Sequence, residues 1–521
     1  MGSWVTPRIL PCGHDTLWHV TVIQDMRVLG GPNPDIPGPA VRLSIAGAWE
    51  GRQEIADTVL QAASGVGMDL QESEIVMRPT DDGYVMAWPV SDRGLARDHI
   101  EATRAMVYEA PRPQRLRRAA QPFELLDPEV PCVAISGTNG KTTTTRIIAH
   151  CARIAGLSTA WSSTDGVFRD GDLVEAGDFS GPGGARRVLG ESGVGFAVLE
   201  TARGGLLLRG MSVRRVDVAV VTNVAADHLG SHGINTVEQL AMVKATVVRI
   251  VDPHGWTVLN ADDPLVRHMA EQSPGRPWFF GIESDPMGDR FTTVRDGRVR
   301  IEGDLEADLG PLLEMPVTVG GRARFNVANV LAAASGAVAA GLPVDVVREA
   351  LRTFRPDRRQ SSGRFNCWAV DRRLVILDMA HNVESLRELL TTARALADSA
   401  RVHVAFGTAG DRSDEVLQGM GFVAVDLADA AFPVDKPGYL RDRTAEEMRA
   451  QFLAGMAVAG ADSEVCFDSE VHALEGLLAH SATGDVLVIT IADQLHELED
   501  ELVRQGGIEV DPAQWAARDR T

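Results

Sequence analysis

The stretch VAISGTNGKTTTTRIIAH joins an apolar run to a helical pattern through Gly137, Thr138, Asn139, Gly140, Lys141, Thr142 and Thr143. Glycines allow backbone N–H groups to turn around an anion, and a helix opening adds a favourable dipole. A lysine here reaches β- and γ-phosphates, and a hydroxyl in the position of Thr142 suits Mg²⁺. The strict GxxxxGK[ST] spacing is not met, because Ile135 stands where its first glycine would be; the shorter GxxGKT form remains. A glycine-rich turn with a solvated lysine would use the same residue types. A nucleotide loop by itself leaves kinase, GTPase, ATPase and ligase open.

Other polar residues sit just after apolar runs of strand length. Glu200, Thr201 and Arg203 follow 196–199; Thr222, Asn223, Asp227 and His228 follow 216–221; Asn260, Asp262 and Asp263 follow 256–259. In an open α/β sheet, ligands bind beyond the carboxyl ends of the strands. These sets are therefore expected on one rim with the phosphate loop. Taken singly, Glu200 also reads as a solvated strand end and His228 as a satisfied core histidine. His228 and His232 are spaced i, i+4, but no HExxH pattern or clustered third ligand supports zinc.

The elements that must hold these residues alternate. Runs at 132–135, 196–199, 216–221 and 256–259 read as strands, and 141–155 and 237–250 as helices, so a parallel sheet covered on both faces is expected. A break at FRPDRRQSSGRFN precedes a second series, with strands expected at 374–377, 402–406, 422–425 and 486–489. Before residue 110, strands are expected at 26–29 and 41–45 and helices at 54–68 and 98–108. The Pro/Arg-rich APRPQRLRRAAQPFELLDPEVP then reads as a linker. The apolar stretch 327–342 is Ala/Gly-rich and carries Asn329 and Ser335, which marks a buried helix and not a membrane span. The expected organisation is α/β: a small α+β domain (1–115), a central P-loop parallel-sheet ATPase domain (116–358) and a Rossmann-like α/β C-terminal domain (359–521).

Composition bounds the rest. A chain of 521 residues with 45% hydrophobic and 24% charged residues is an ordinary globular one of several domains. A formal charge of −21 opposes bulk nucleic-acid binding, though not a local basic pocket. The five cysteines are scattered without CxxC spacing, which fits a reducing cytoplasm. MGSWVTPRIL lacks the charged region and apolar core of a signal peptide, and its match to the permissive myristoylation pattern is best read as chance.

The order and spacing of GTNGKTTT, ETARGGL, VTNVAADHLG, NADDP, GRFN and DMAHN resemble the Mur ligase superfamily, which includes peptidoglycan amino-acid ligases and folylpolyglutamate synthetases. STDGVF, GDFSGP, AVLETARGGLLLRG and GDRSDE look most like the C-terminal ligase half of cyanophycin synthetases, and RVLGGPN (27–33) is similar to their N-terminal opening. The ATP-grasp domain of that family has no room between Tyr108 and the phosphate loop. The chain is therefore not expected to make a whole polymer alone, and a separate ATP-grasp enzyme is an implied partner.

The resemblance implies ATP-dependent amide or isopeptide formation between a small-molecule or peptide carboxylate and an amine, through an acyl phosphate. It implies Lys141 and a Mg²⁺ on Thr142 at the phosphates, and a second Mg²⁺ held by Glu200 and His228. Lys244 matches a position that many relatives carry as a carbamylated lysine; an exposed helix lysine is the plainer reading. Asn260 would lie near adenine, with Arg364 and Asp378 brought over from the third domain. Thr164, Asp165, Ser180 and Arg203 would meet the carboxylate substrate. Arg203 has the planar fork for that, or else fixes its own loop by an ion pair. Asp411, Asp414 and Glu415 would attract a cationic amine such as arginine. Phe325 and Val383 depart from the family pattern of His and Pro. The role of the first domain and a homo-oligomeric state stay open, as does the alternative of an assembly subunit with an idle site.

Overall fold

The computed structural model describes residues 9–10, 19–20, 22–46, 52–80, 83–107, 124–230, 233–441, 443–461, 465–513 and 515. Most of the expected linker, the N-terminal pattern, Cys12 and His232 lie outside the described residues.

The central sheet has 11 strands, in spatial order Asp172–Ala176, Gly166–Arg169, Thr159–Ser163, Phe196–Glu200, Cys132–Ser136, Val216–Val221, Val251–Asn260, Arg276–Phe280, Arg290–Arg295, Arg298–Gly303 and Ala307–Pro311. From Thr159–Ser163 across to Arg290–Arg295 every pairing is parallel, and an antiparallel hairpin extends each edge. Its strands are continuous apolar runs because both faces are covered. Alternate residues enter two cores: Val133, Ile135, Val198, Val218 and Val220 on one face, Cys132, Ala134, Leu199, Ala219 and Val221 on the other. The Ala-rich helix Arg324–Ala339 is apolar almost all round and buried accordingly. At Gly336 it comes so close to Ile148 and Val220 that an added Cβ would stand 3.0 Å from each.

Pairing registers make the rim. Glu200 is level with Ile135, Val221 with Ser136, and Leu259 with Val221. The residues just beyond these strands therefore emerge along a single edge. The helix Lys141–Ile154 starts there, on Gly140 at φ 85°.

The C-terminal sheet runs Ala430–Pro433, Val402–Phe406, Val486–Thr490, Arg373–Asp378, Asn366–Val370 and Ile508–Glu509, the first four parallel. The stretch 422–425, expected as a strand, belongs instead to the helix Asp414–Leu427. Its buried residues Leu417, Met420, Gly421 and Ala424 follow a helical period, which the short run FVAV obscures. Gly421 and Gly455 let this helix press backbone to backbone against Ala445–Val458: a Cβ on Gly455 would lie 1.8 Å from the Gln418 carbonyl oxygen. The helix expected over 237–250 is also broken, at Ala245, into Val237–Lys244 and Thr246–Arg249.

The first part of the chain forms a four-stranded antiparallel sheet, Val22–Leu29, Ala40–Ala46, Gly83–Pro89 and Val76–Thr80 in order, with helices Arg52–Val66 and Arg93–Val107. Among the described residues no helix is long and apolar enough to cross a membrane.

Candidate active site

The carboxyl ends of the central and C-terminal parallel sheets face each other across a cavity of about 1340 Å³. Lys141, Glu200, His228 and Lys244 all line it, with residues 137–143, Thr164, Asp165, Ser180, Arg203, Arg364, Asp378 and Asp411. Three expected site residues are not in its wall. Asn260 ends its strand and donates from Nδ2 to the Thr222 carbonyl at 2.8 Å, bracing the rim from behind. Asp414 opens the helix Asp414–Leu427 and pairs with Arg443 at 2.6 Å. Glu415 follows it on that helix and is likewise absent from the wall.

The phosphate loop is tightly specified. A Cβ on Gly137 would lie 1.9 Å from Thr222 Oγ1, and one on Gly140 2.1 Å from Asn329 Oδ1. The Asn139 N–H donates to Asn223 Oδ1 (2.8 Å), and Thr222 Oγ1 donates to the Asn139 carbonyl (2.6 Å). Two amines cap loop carbonyls: Lys141 Nζ donates to Thr138 (2.8 Å) and Lys244 Nζ to Gly137 (2.6 Å). Burial, reinforced by the charge of Lys141, holds the Lys244 ammonium well below the ordinary lysine range.

Glu200 is buried at its strand end, where its carboxylate accepts from Thr164 Oγ1 at 3.0 Å. Asp165 accepts from Arg146 at 2.6 Å, and Ser180 donates to Asp178 at 2.6 Å. Arg203 does not pair with a carboxylate; it donates to the His228 carbonyl at 2.6 Å, and His228 sits at φ 54°.

Contacts between the two domains complete the wall. Arg364 donates to Thr142 Oγ1 (3.3 Å), Arg146 to the Ser362 carbonyl (3.0 Å), and Asn382 Nδ2 to Asn139 Oδ1 (2.9 Å). Phe325 stacks edge-on against Phe365, which gives that departure from the family pattern a packing role between domains. Val383 packs against Gly419, where an added Cβ would stand 2.9 Å from it.

A charge cluster crosses the same boundary. His228 Nδ1 is 3.0 Å from Asp411 Oδ2, Arg412 Nε is 3.0 Å from Asp227 Oδ1, and His381 Nε2 is 3.6 Å from Asp227 Oδ2. Burial works to raise the Asp227 carboxyl, but His381, Arg412 and His228 outweigh it and hold it far below the carboxylate range. Burial lowers His228 despite Asp411 and Asp227, favouring neutral imidazole. His228 Nδ1 lies 3.0 Å from both Asp411 Oδ2 and Arg412 Nη1, and the His228 bond and Arg412 hold the Asp411 carboxyl at about 2. Asp378 accepts from the Phe365 N–H at 2.8 Å; burial pushes it up to about 6 against the opposing charge of Arg364. Asp227 was expected on this rim, but His381 and Arg412 were not singled out in the sequence. They stand inside DMAHN and GDRSDE, and only the meeting of domains gives them a purpose.

The donor set suits a nucleotide with a hard cation. The glycine cradle has no room for side chains, Lys141 stands at its mouth, and Thr142 and Glu200 offer oxygens. Among the described residues no group of three or more His, Cys, Asp or Glu side chains could enclose a metal ion.

Residues 135–337 match the Mur ligase middle domain and residues 363–491 the Mur ligase glutamate ligase domain. Cyanophycin synthetases of Crocosphaera subtropica and a Synechocystis species are 40% and 37% identical over 332 and 353 residues, which is 61% and 66% of this chain. The chain spans about two fifths of the length of these curated relatives, 38% and 40% respectively. A UDP-N-acetylmuramoyl-L-alanyl-D-glutamate–2,6-diaminopimelate ligase of Bacillus licheniformis is 29% identical, covering 74% of this chain and 78% of the relative. In fold, the chain is similar to a bifunctional folylpolyglutamate synthase/dihydrofolate synthase with Mn, AMPPNP and L-glutamate bound (TM-score 0.54, 19% identity, 72% of this chain and 89% of that one). It is also similar to a pseudomurein peptide ligase of Methanothermus fervidus (TM-score 0.53, 20% identity, 72% and 79%). Through its middle and C-terminal domains, the chain belongs to the Mur ligase family.

Proposed function

We propose that this chain is an ATP-dependent ligase that joins a carboxylate to an amine through an acyl phosphate. The observation that carries the reading is the meeting of Lys141, Glu200, His228 and Lys244 with Arg364, Asp378 and Asp411 in one cavity between two domains. Phosphoryl transfer to a carboxylate brings anions together, so fixed cations and preorganised donors supply most of the catalysis. Mg²⁺, which Thr142 and Glu200 would hold with His228 in the same cavity, would supply charge neutralisation at the phosphates. Lys141 and Arg364 flank the nucleotide from either domain. Arg203 orders the His228 backbone on the carboxylate side. The closed interdomain wall keeps water from the acyl phosphate until the amine attacks its carbonyl carbon and phosphate leaves.

The similarity to cyanophycin synthetases supports an aspartyl side-chain carboxylate and a cationic amino acid such as arginine as substrates. A separate ATP-grasp enzyme would then supply the aspartyl backbone. The test is phosphate release with mass analysis of products, using ATP, Mg²⁺, aspartyl peptides and basic amino acids. Amide product that needs all three substrates is the expected result. Nucleotide binding without turnover on any pair would overturn the ligase and make the chain a nucleotide-binding subunit.

A further inference from the structure

The family domains begin at residue 135, yet a turn of the first domain, residues 30–38, grips the elements that wall the site. The Gly30 N–H donates to the Arg209 carbonyl and the Met211 N–H to the Pro32 carbonyl, each at 2.7 Å. The two backbones cross with no room for a side chain. A Cβ on Gly31 would fall 1.8 Å from the Met211 carbonyl oxygen, and one on Gly210, at φ 70°, 2.5 Å from the Gly31 oxygen. The same turn takes a second hold, since Arg249 donates to the Pro34 carbonyl at 2.7 Å.

The turn is itself rigid. Asn33 is 1% exposed and makes four hydrogen bonds, donating to the carbonyls of Gly31 and Gly38 and accepting from the N–H groups of Asp35 and Ile36. Asp35 pairs with Arg42 (3.2 Å) and Arg78 (3.5 Å), on two strands of the first sheet. Displacement of that sheet is therefore passed to the central domain. What the turn grips is informative. Arg209 ends the short helix Arg203–Arg209, whose first residue holds the His228 carbonyl, and Arg249 ends the turn of helix that follows Lys244.

We infer that residues 30–38 of the first domain position the carboxylate side of the site, acting on Arg203 from the far end of its helix and on Lys244 through the separate turn of helix that follows it. The role assigned to that side rests on the ligase reading above; the mechanical coupling does not. Asn33 and Gly31 are positioning residues, since none of the described residues of the first domain lines the cavity.

The test compares Gly31→Ala, Asn33→Ala and Gly38→Ala in the full chain. Gly38 is a control in the same turn, because a Cβ there meets nothing within 4 Å. Hydrogen exchange needs no ligand: protection over residues 203–211 should fall about tenfold or more in the first two variants and hold in the third. With an aspartyl peptide, arginine and ATP, KM for the peptide should rise about tenfold while KM for ATP stays within about twofold, as for displaced positioning groups. If Gly31→Ala fails to fold, Asn33→Ala, which leaves the backbone crossing intact, decides. Unchanged protection at 203–211, or loss confined to residues 22–46, would overturn the inference. Lost protection with no ligation by the unaltered chain would leave the coupling standing and sink the function instead.

Discussion

Lys244 is buried, donates to a phosphate-loop carbonyl and is held well below the lysine range by burial and by Lys141. Only a neutral amine adds CO₂, and a lowered pKa raises the share of that form, the more so as pH rises. We therefore expect a carbamate on Lys244. Lys244→Ala should cut turnover about a hundredfold or more, the scale of losing an electrostatic stabiliser. Turnover of the unaltered chain should fall in CO₂-depleted buffer and return with bicarbonate; indifference to both would remove the carbamate. Asp378 carries a second prediction. Its folded value of about 6 lies above the roughly 3.9 of an unfolded aspartate, so the folded chain keeps a proton the unfolded chain has shed between those values. The stability contributed is complete below about pH 4 and lost as pH rises through 6. Asp378→Asn keeps an acceptor for Phe365 and should flatten that fall in urea midpoints measured from pH 4 to 7. At this scale the sequence showed the groups that face phosphate, because glycine, lysine and hydroxyl at fixed spacing have few other uses. It hid Arg412 and His381, whose partner Asp227 lies far away along the chain.

Elements were legible where their periodicity is long or their flanks are turns, as in Val216–Val221 and Val402–Phe406, expected at the bounds observed. They were not where an apolar run is short. Residues 422–425 have strand composition but sit in a helix, because Gly421 and Gly455 create a close helix contact that no local pattern announces. Loop positions follow from buried ion pairs that are equally remote in sequence. Lys436 Nζ donates to Glu470 (2.7 Å) and the Thr490 carbonyl (2.6 Å), both side chains being 1% exposed. Glu470 also accepts from the N–H groups of Ala492 and Gln494. This pair fastens the loops after two parallel strands, Ala430–Pro433 and Val486–Thr490, the second loop holding Ile491 and Ala492 of the cavity wall. Glu470→Ala should cost about 3–5 kcal/mol in chemical denaturation, since it strands a buried ammonium. A loss below about 1 kcal/mol would mean that Lys436 finds water and that the loops hold themselves.

Across the whole molecule, a net charge of −21 surrounds an interdomain cavity whose wall sets Lys141, Lys244, Arg203, Arg364 and Arg412 among carboxylates such as Glu200, Asp227, Asp378 and Asp411. Composition described the outside and said nothing of this inside. Many contacts across the cavity are polar, beside the packing of Phe325 on Phe365, and polar interfaces open and close more readily than apolar ones. Among them the pair Arg412–Asp227 is the most buried, with side chains 4% and 9% exposed. Arg412→Ala removes the C-terminal domain's cation from Asp227 while touching no residue of the phosphate loop. Binding of a fluorescent ATP analogue should therefore change by less than about threefold. Turnover should fall about a hundredfold, because the loss of a buried partner is worth several kcal/mol and falls on the closed arrangement. Hydrogen exchange over residues 355–363, where the domains join, should quicken in parallel. Wild-type turnover with unchanged exchange would show that the site is complete within the central domain and that the C-terminal domain serves only to bring the amine.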